Sequence, residues 1–312
     1  MYQLSGGVIL GWALGSNDAA NVFGTAVASR MVRYRTAVTL AAAFIILGAV
    51  LQGHGGMDTI SGLTSQTPRS AMIVTIVAGL TVLMMTALRL PVSANQAVVG
   101  VVIGMGLRLD PSHVQWAGLG KVVTCWVTAP AGAALMAALL YPTLGRLFDR
   151  LPLNLISRSI VLRFGLLICG AYGAYAMGAN STGNVTGAFY GTGVLGGESR
   201  WILTLLGGAS IAMGVLTFSR PVMFTVGSRL VELGAFSALI AVLAEAMTVH
   251  AYAFIGVPVS TSQAVVGAVL GIGLVKGIRT IHGGVLGRIV LGWMITPLIG
   301  GMAAYLSAWA LL

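Results

Sequence analysis

Apolar residues run along this chain in long blocks, separated by short stretches that carry arginine, glycine or proline. A helix needs about 20 mostly apolar residues to cross the hydrocarbon core of a bilayer. The blocks near 5–29, 36–53, 71–88, 91–107, 115–140, 163–190, 202–218, 236–254, 258–275 and 289–311 therefore predict about ten hydrophobic segments. No stretch is polar enough to form a soluble domain, so the expected fold class is an all-α polytopic membrane protein. Met1 to Gly11 has no basic region ahead of its apolar run, and the first helix is expected to be retained.

The pattern repeats itself. Leu90 to Leu107 reads LPVSANQAVVGVVIGMGL and Val257 to Leu274 reads VPVSTSQAVVGAVLGIGL, an offset of 167 residues. At the same offset Lys121 meets Arg288, Trp126 meets Trp293 and Pro130 meets Pro297. Near offset 163, Gly15 to Val27 (GSNDAANVFGTAV) meets Gly178 to Tyr190 (GANSTGNVTGAFY). The expected organisation is membrane repeat one over 1–140, a cytoplasmic linker over 141–162 and membrane repeat two over 163–312. With five crossings per half, the second half starts on the opposite side from the first, which gives two inverted-topology repeats with discontinuous helices.

Polar residues inside the apolar blocks mark candidate chemistry. Ser16, Asn17, Asp18 and Asn21 cost several kcal/mol, by order of magnitude, to bury in lipid unless partners or ions meet them. Gly11, Gly15 and Gly24 would let the helix unwind there and free backbone carbonyls, while Asn17, Asp18 and Asn21 supply the hard oxygens that suit Na⁺. Asn180, Ser181 and Asn184 repeat the motif. An interhelical hydrogen-bond cluster is the competing reading, and the recurrence argues against it. The second pair of motifs, Pro91 to Gln96 and Pro258 to Gln263, looks like two helix starts. Proline is tolerated in a first turn, serine caps free N–H groups, and a helix N-terminus inside the bilayer is an oxyanion site. Ser93, Asn95 and Gln96 on one arm, with Ser260, Thr261, Ser262 and Gln263 on the other, are the expected anion ligands.

Composition agrees with the pattern. Hydrophobic residues make up 57% of the 312 positions and charged residues 8%, against about 25% in soluble domains. The net charge of +10 does not point to nucleic acid, because membrane proteins collect Lys and Arg in cytoplasmic loops. An outside N-terminus puts Arg30, Arg33, Arg35, Arg89, Arg146, Arg150, Arg158, Arg163, Arg220, Arg229, Lys276, Arg279 and Arg288 on the cytoplasmic face. Arg69, Arg108, Lys121 and Arg200 remain on the other. Cys125 and Cys169 lie in apolar runs as small hydrophobes.

The stretch GSNDAANVFGTAVASR at Gly15 to Arg30, its partner GANSTGN and the paired PVSxxQAVVG motifs resemble those of the Pit-type inorganic phosphate transporters, a family that includes sulfate permeases. The resemblance implies an inverted-repeat fold, a central phosphate held by the Ser/Thr/Gln motifs, and coupling to Na⁺ or H⁺ at the Asn-Asp-x-x-Asn motifs. It also implies a role for Glu245, which matches a family glutamate, and makes a homodimer plausible. No organic cofactor is implied, and the expected location is a prokaryotic cytoplasmic membrane. Two departures stand out: Ser181 occupies the place of the second family Asp, and Ala94 and Asn95 stand where the other arm has Thr261 and Ser262.

Of the seven acids, Asp58, Asp110, Asp149, Glu198 and Glu232 fall in or near predicted loops; Asp18 and Glu245 lie inside segments, where a carboxylate is a functional candidate. His54, His113, His250 and His282 are expected near interfaces. A channel would need a continuous polar pore lining, and an enzyme would need a nucleophile with a base or a metal motif; neither pattern is present. Phosphate is favoured over sulfate because it keeps a proton near neutral pH, and a carboxylate at Asp18 or Glu245 accepts from it.

Overall fold

A computed structural model describes residues 2–87, 93–195, 200–224, 234–277 and 283–312, with only the backbone described at 283–285 and 288. Among the described residues the fold is helical without strands: α1 (Ser5–Ala28), α2 (Tyr34–Gln52), α3 (His54–Ser61), α4 (Pro68–Ala87), α5 (Ala94–Leu109), α6 (Trp116–Arg150), α7 (Leu155–Thr186), α8 (Arg200–Phe218), α9 (Ala235–Ile255), α10 (Thr261–Lys276) and α11 (Gly283–Leu311). Seven of these, α2, α4, α6, α7, α8, α9 and α11, are long and apolar enough to cross a membrane. α1 has the length, 24 residues, but its apolar run is interrupted by the Ser16 to Asn21 motif. α5 and α10 have 16 residues each. At 1.5 Å per residue they reach about 24 Å, short of a hydrocarbon core of about 30 Å, so they suit helices that begin inside it.

Packing within and between the halves is reciprocal. α5 lies on α11 and α10 lies on α6; α1 lies on α8 and α7 lies on α2; α1 lies on α4 and α7 lies on α9. Matched glycines make these contacts close. A Cβ on Gly100 would meet the Pro297 carbonyl, and one on Gly267, 167 positions later, would meet the Pro130 carbonyl. Gly15 lies against the Ile211 carbonyl in the same way, and its counterpart Gly178 lies against that of Ile45. Each of these contacts has a mate with the two halves exchanged.

Several expectations change. The glycines of the Asn motifs do not unwind their helices: α1 and α7 run unbroken through Asn17–Asn21 and Asn180–Asn184. Gly11, Gly15, Gly178 and Gly183 serve close helix approach instead, and the described break falls at the second serine motif, between Ile255 and Thr261. Proline is not in the first turn there, since Pro258 lies two residues ahead of the cap Ser260. The expected linker over 141–162 is mostly helix. α6 continues to Arg150 and α7 starts at Leu155, because Asn154 caps it through Ser157 N–H at 2.8 Å. Arg89, Leu90, Pro91, Val92, Glu198, Arg229, Glu232, Arg279 and His282, and the Arg288 side chain, lie outside the described residues.

Candidate functional site

The serine motifs form helix starts. Ser93 and Ser260 are extended, at φ −108° and −82°, and their Oγ atoms accept from Gln96 N–H at 3.3 Å and Gln263 N–H at 3.2 Å. Each cap stabilises its helix by about 1 kcal/mol. The N–H groups ahead of Gln96 and Gln263 have no intrahelical acceptor, and the positive end of each helix dipole lies among them. Ser93, Asn95, Gln96, Ser260, Thr261 and Gln263 are all buried, and Ser262 is half-buried with its Oγ 3.0 Å from that of Ser260.

α1 and α7 bring the asparagine motifs to the same place. Asn180 Nδ2 donates to the Val259 carbonyl at 2.8 Å, and Asn180 Oδ1 accepts from Val259 N–H at 2.9 Å. Asn95 Nδ2, from the first serine motif, donates to the same carbonyl. Asn184 Nδ2 donates to Asn95 Oδ1 at 2.8 Å. On the other side of α10, Asn21 Nδ2 donates to Thr261 Oγ1 at 3.1 Å, and the Thr261 side chain also hydrogen-bonds Asp18. All four motifs, scattered over some 250 positions, thus converge at the start of α10. Asn17 is the outlier of its motif: it is half-exposed and makes a long contact of 3.4 Å with Asp18 Oδ1. Ser181 is buried and accepts from Asn180 at 3.4 Å.

The charge distribution is lopsided. Asp18 and Glu245 are 4% and 1% exposed and close enough to feel each other's charge, and neither has a basic partner among the described residues. Their counterparts in the other half are Ser181 and Ala78. Two buried carboxyls without a basic group are costly when ionised, and a cation between them offsets that cost. Several buried acceptors have no partner among the described residues: Gln96 Oε1, Gln263 Oε1, Asn184 Oδ1, Glu245 Oε2 and Thr25 Oγ1. Such atoms are uncommon in native interiors, where most buried polar groups are paired.

Sequence reasoning missed Val259, because its contribution is a peptide group and any residue has one. His250 lies near the end of α9. The ring is half-buried between helices, with Nδ1 2.9 Å from the Tyr172 hydroxyl and Nε2 2.7 Å from Gln52 Oε1, and Tyr172, Tyr175 and Phe254 pack around it. His54 and His113 are exposed, as are Asp58, Asp110 and Asp149.

The model of the phosphate transporter family matches residues 14–304. A candidate phosphate permease of Methanocaldococcus jannaschii is 29% identical, with 92% of this chain and 89% of that protein covered. Another from Pyrococcus furiosus is 28% identical, with 96% and 92% covered. A solved structure of a sodium-dependent phosphate transporter superposes with a TM-score of 0.88 over all of this chain and 99% of that one, at 23% identity, and shares the fold. With a family match that spans both repeats and every motif of the site, the chain belongs to the phosphate transporter family.

Proposed function

We propose that this protein moves inorganic phosphate across a prokaryotic cytoplasmic membrane by symport with Na⁺, with the two halves inserted in opposite orientations. The observation that carries the reading is the meeting of two capped helix starts, those of α5 and α10, through Asn95 and Val259, with Gln96 and Gln263 buried in their first turns and their Oε1 atoms unpartnered among the described residues. Phosphate lies between the arms on this reading. Free first-turn N–H groups and the Ser93, Ser260, Thr261 and Ser262 hydroxyls bind its oxygens. Each glutamine carboxamide offers N–H to an anion oxygen, or its carbonyl to a phosphate hydroxyl. Na⁺ is bound as co-substrate by Asp18, Asn21 and Asn17, with Glu245 near. Asn180, engaged with Val259, and Asn184, engaged with Asn95, hold the anion arms in register, and neutral Ser181 beside them leaves a second cation site without a formal charge. Sodium dependence in a protein of the same fold supports Na⁺ over H⁺.

Sulfate is the competing cargo, favoured by the neutral Ser181. It cannot donate a hydrogen bond, so it leaves the glutamine carbonyls unmet, at about 1–3 kcal/mol per buried acceptor. Labelled uptake into proteoliposomes with an imposed Na⁺ or pH gradient tests the reading. Saturable phosphate uptake driven by Na⁺, blocked by arsenate and barely reduced by excess sulfate, is expected. Saturable sulfate uptake insensitive to phosphate, or uptake driven by a pH gradient alone, contradicts it.

A further inference from the structure

α6 is 35 residues long, about 52 Å at 1.5 Å per residue, and its apolar block ends near residue 140. The stretch from Tyr141 to Arg150 therefore projects into the headgroup layer beyond a hydrocarbon core of about 30 Å. There the ends of three helices line an open cavity of about 430 Å³, formed by Tyr141, Arg146, Phe148 and Asp149 of α6, Arg158 of α7 and Phe236 of α9. Its aromatic wall is packed ring on ring: the Phe236 ring centroid lies 5.6 Å from that of Tyr141 and 5.5 Å from that of Phe148. The Arg158 guanidinium lies 5.4 Å from the Phe148 centroid and 3.7 Å from Asp149 Oδ1. Lys276 closes the neighbouring side, 5.3 Å from the Tyr141 centroid and 2.9 Å from Ser237 Oγ. Arg146 has no acidic or hydrogen-bonding partner among the described residues.

We propose that this cavity binds the headgroup of an anionic glycerophospholipid. The phosphodiester lies against Arg146 and Arg158, and a headgroup hydroxyl donates to Asp149, the one acid in the lining. Basic cavities between helix ends on the cytoplasmic side suit such headgroups, and the basic-residue asymmetry of the chain places this end there. Charge complementarity favours an anion over a zwitterion, since two arginines and a nearby lysine outnumber one aspartate. Size and surroundings favour a lipid over a free anion. The cavity is too wide to enclose bare phosphate, and the same helix ends carry Leu147, Leu155 and Ile156, exposed by 58%, 87% and 74%, along which acyl chains can lie. Nothing in the transport reading uses these residues.

The test is lipid retention by the purified full-length protein, read by native mass spectrometry after equilibration with phosphatidylglycerol or phosphatidylcholine. Wild type is expected to retain phosphatidylglycerol at least ~5-fold over phosphatidylcholine, a bias within reach of the ~1 kcal/mol per basic residue of such attractions. Arg146→Gln and Arg158→Gln are each expected to remove most of that bias. Arg150→Gln, on the same helix end but outside the lining, leaves it intact. Melting temperature confirms that each variant is folded, and Arg146→Gln, an exposed position, carries the test if Arg158→Gln is not. Excess inorganic phosphate leaves the lipid in place. Equal loss in Arg150→Gln overturns the proposal in favour of diffuse charge attraction, and displacement by inorganic phosphate overturns it in favour of a free-anion site.

Discussion

Asn180 holds Val259 by both groups of its backbone, donating to the carbonyl at 2.8 Å and accepting from the N–H at 2.9 Å. A side chain on a continuous helix thereby does what a neighbouring strand would do. It satisfies a stretch of non-helical backbone at the break between α9 and α10, where Pro258 has no N–H to give and Gly256 adopts φ +75°. Thr59 of α3 holds the same turn from the other side, donating to the Gly256 carbonyl at 2.5 Å. Irregular backbone inside a membrane protein survives where protein groups meet it, and here one asparagine and one threonine supply that contact.

Asn180→Ala leaves the buried Val259 N–H without its partner and its carbonyl with Asn95 alone. The expected cost is about 1–3 kcal/mol, read as a fall in melting temperature in detergent together with weaker phosphate binding. Ser181→Ala, at the next position of the same helix, should lower neither by a comparable amount. An unchanged melt for Asn180→Ala would show that the break is held by other groups.

The reciprocal glycine contacts make a paired prediction. Gly100→Ala and Gly267→Ala each push a methyl into a proline carbonyl on a facing helix, and both should destabilise by about 1–3 kcal/mol as overpacked sites do. Gly120→Ala, in α6, meets nothing within 4 Å and should be neutral or stabilising. Thermal melts of the three variants give the comparison. Tolerance at Gly267 with intolerance at Gly100 would show that the exchange of contacts is not matched in energy.

Asp18 and Ser181 are counterparts with different charge, and that difference should set cation dependence. Asp18→Asn is expected to abolish the Na⁺ dependence of uptake while phosphate binding at high concentration survives. Ser181→Asp is expected to raise cation affinity or to change the coupling ratio. Cation titration of labelled uptake reads both, and full Na⁺ dependence in Asp18→Asn would remove Asp18 from the cation site.

Much of this was legible in the chain because the chain says it twice. The offset of 167 between the PVS motifs located both helix starts, and Ser93 and Ser260 cap them as residue type and position indicated. The ten apolar blocks each correspond to a helix. What the sequence hid has physical causes. Glycine beside a polar motif fits an unwound turn and a close helix contact equally well, and only the position of Ile211 opposite Gly15 decides between them. Pro142, Gly145 and the basic residues after position 141 look like a loop, yet α6 runs through them to Arg150 and leaves the apolar core without leaving the helix.

Two arms closing on one anion is the central claim, and equilibrium binding of labelled phosphate to purified protein tests it most directly. Gln96→Ala and Gln263→Ala lie at corresponding positions of α5 and α10, and each removes a buried carboxamide whose carbonyl has no partner among the described residues. Loss of a hydrogen bond to a charged ligand is worth about 1.5–3 kcal/mol, so each variant should bind phosphate roughly 10-fold or more weakly with a melting temperature near that of wild type. Wild-type affinity in either variant, with the other impaired, would contradict the clamp and leave the anion to a single arm.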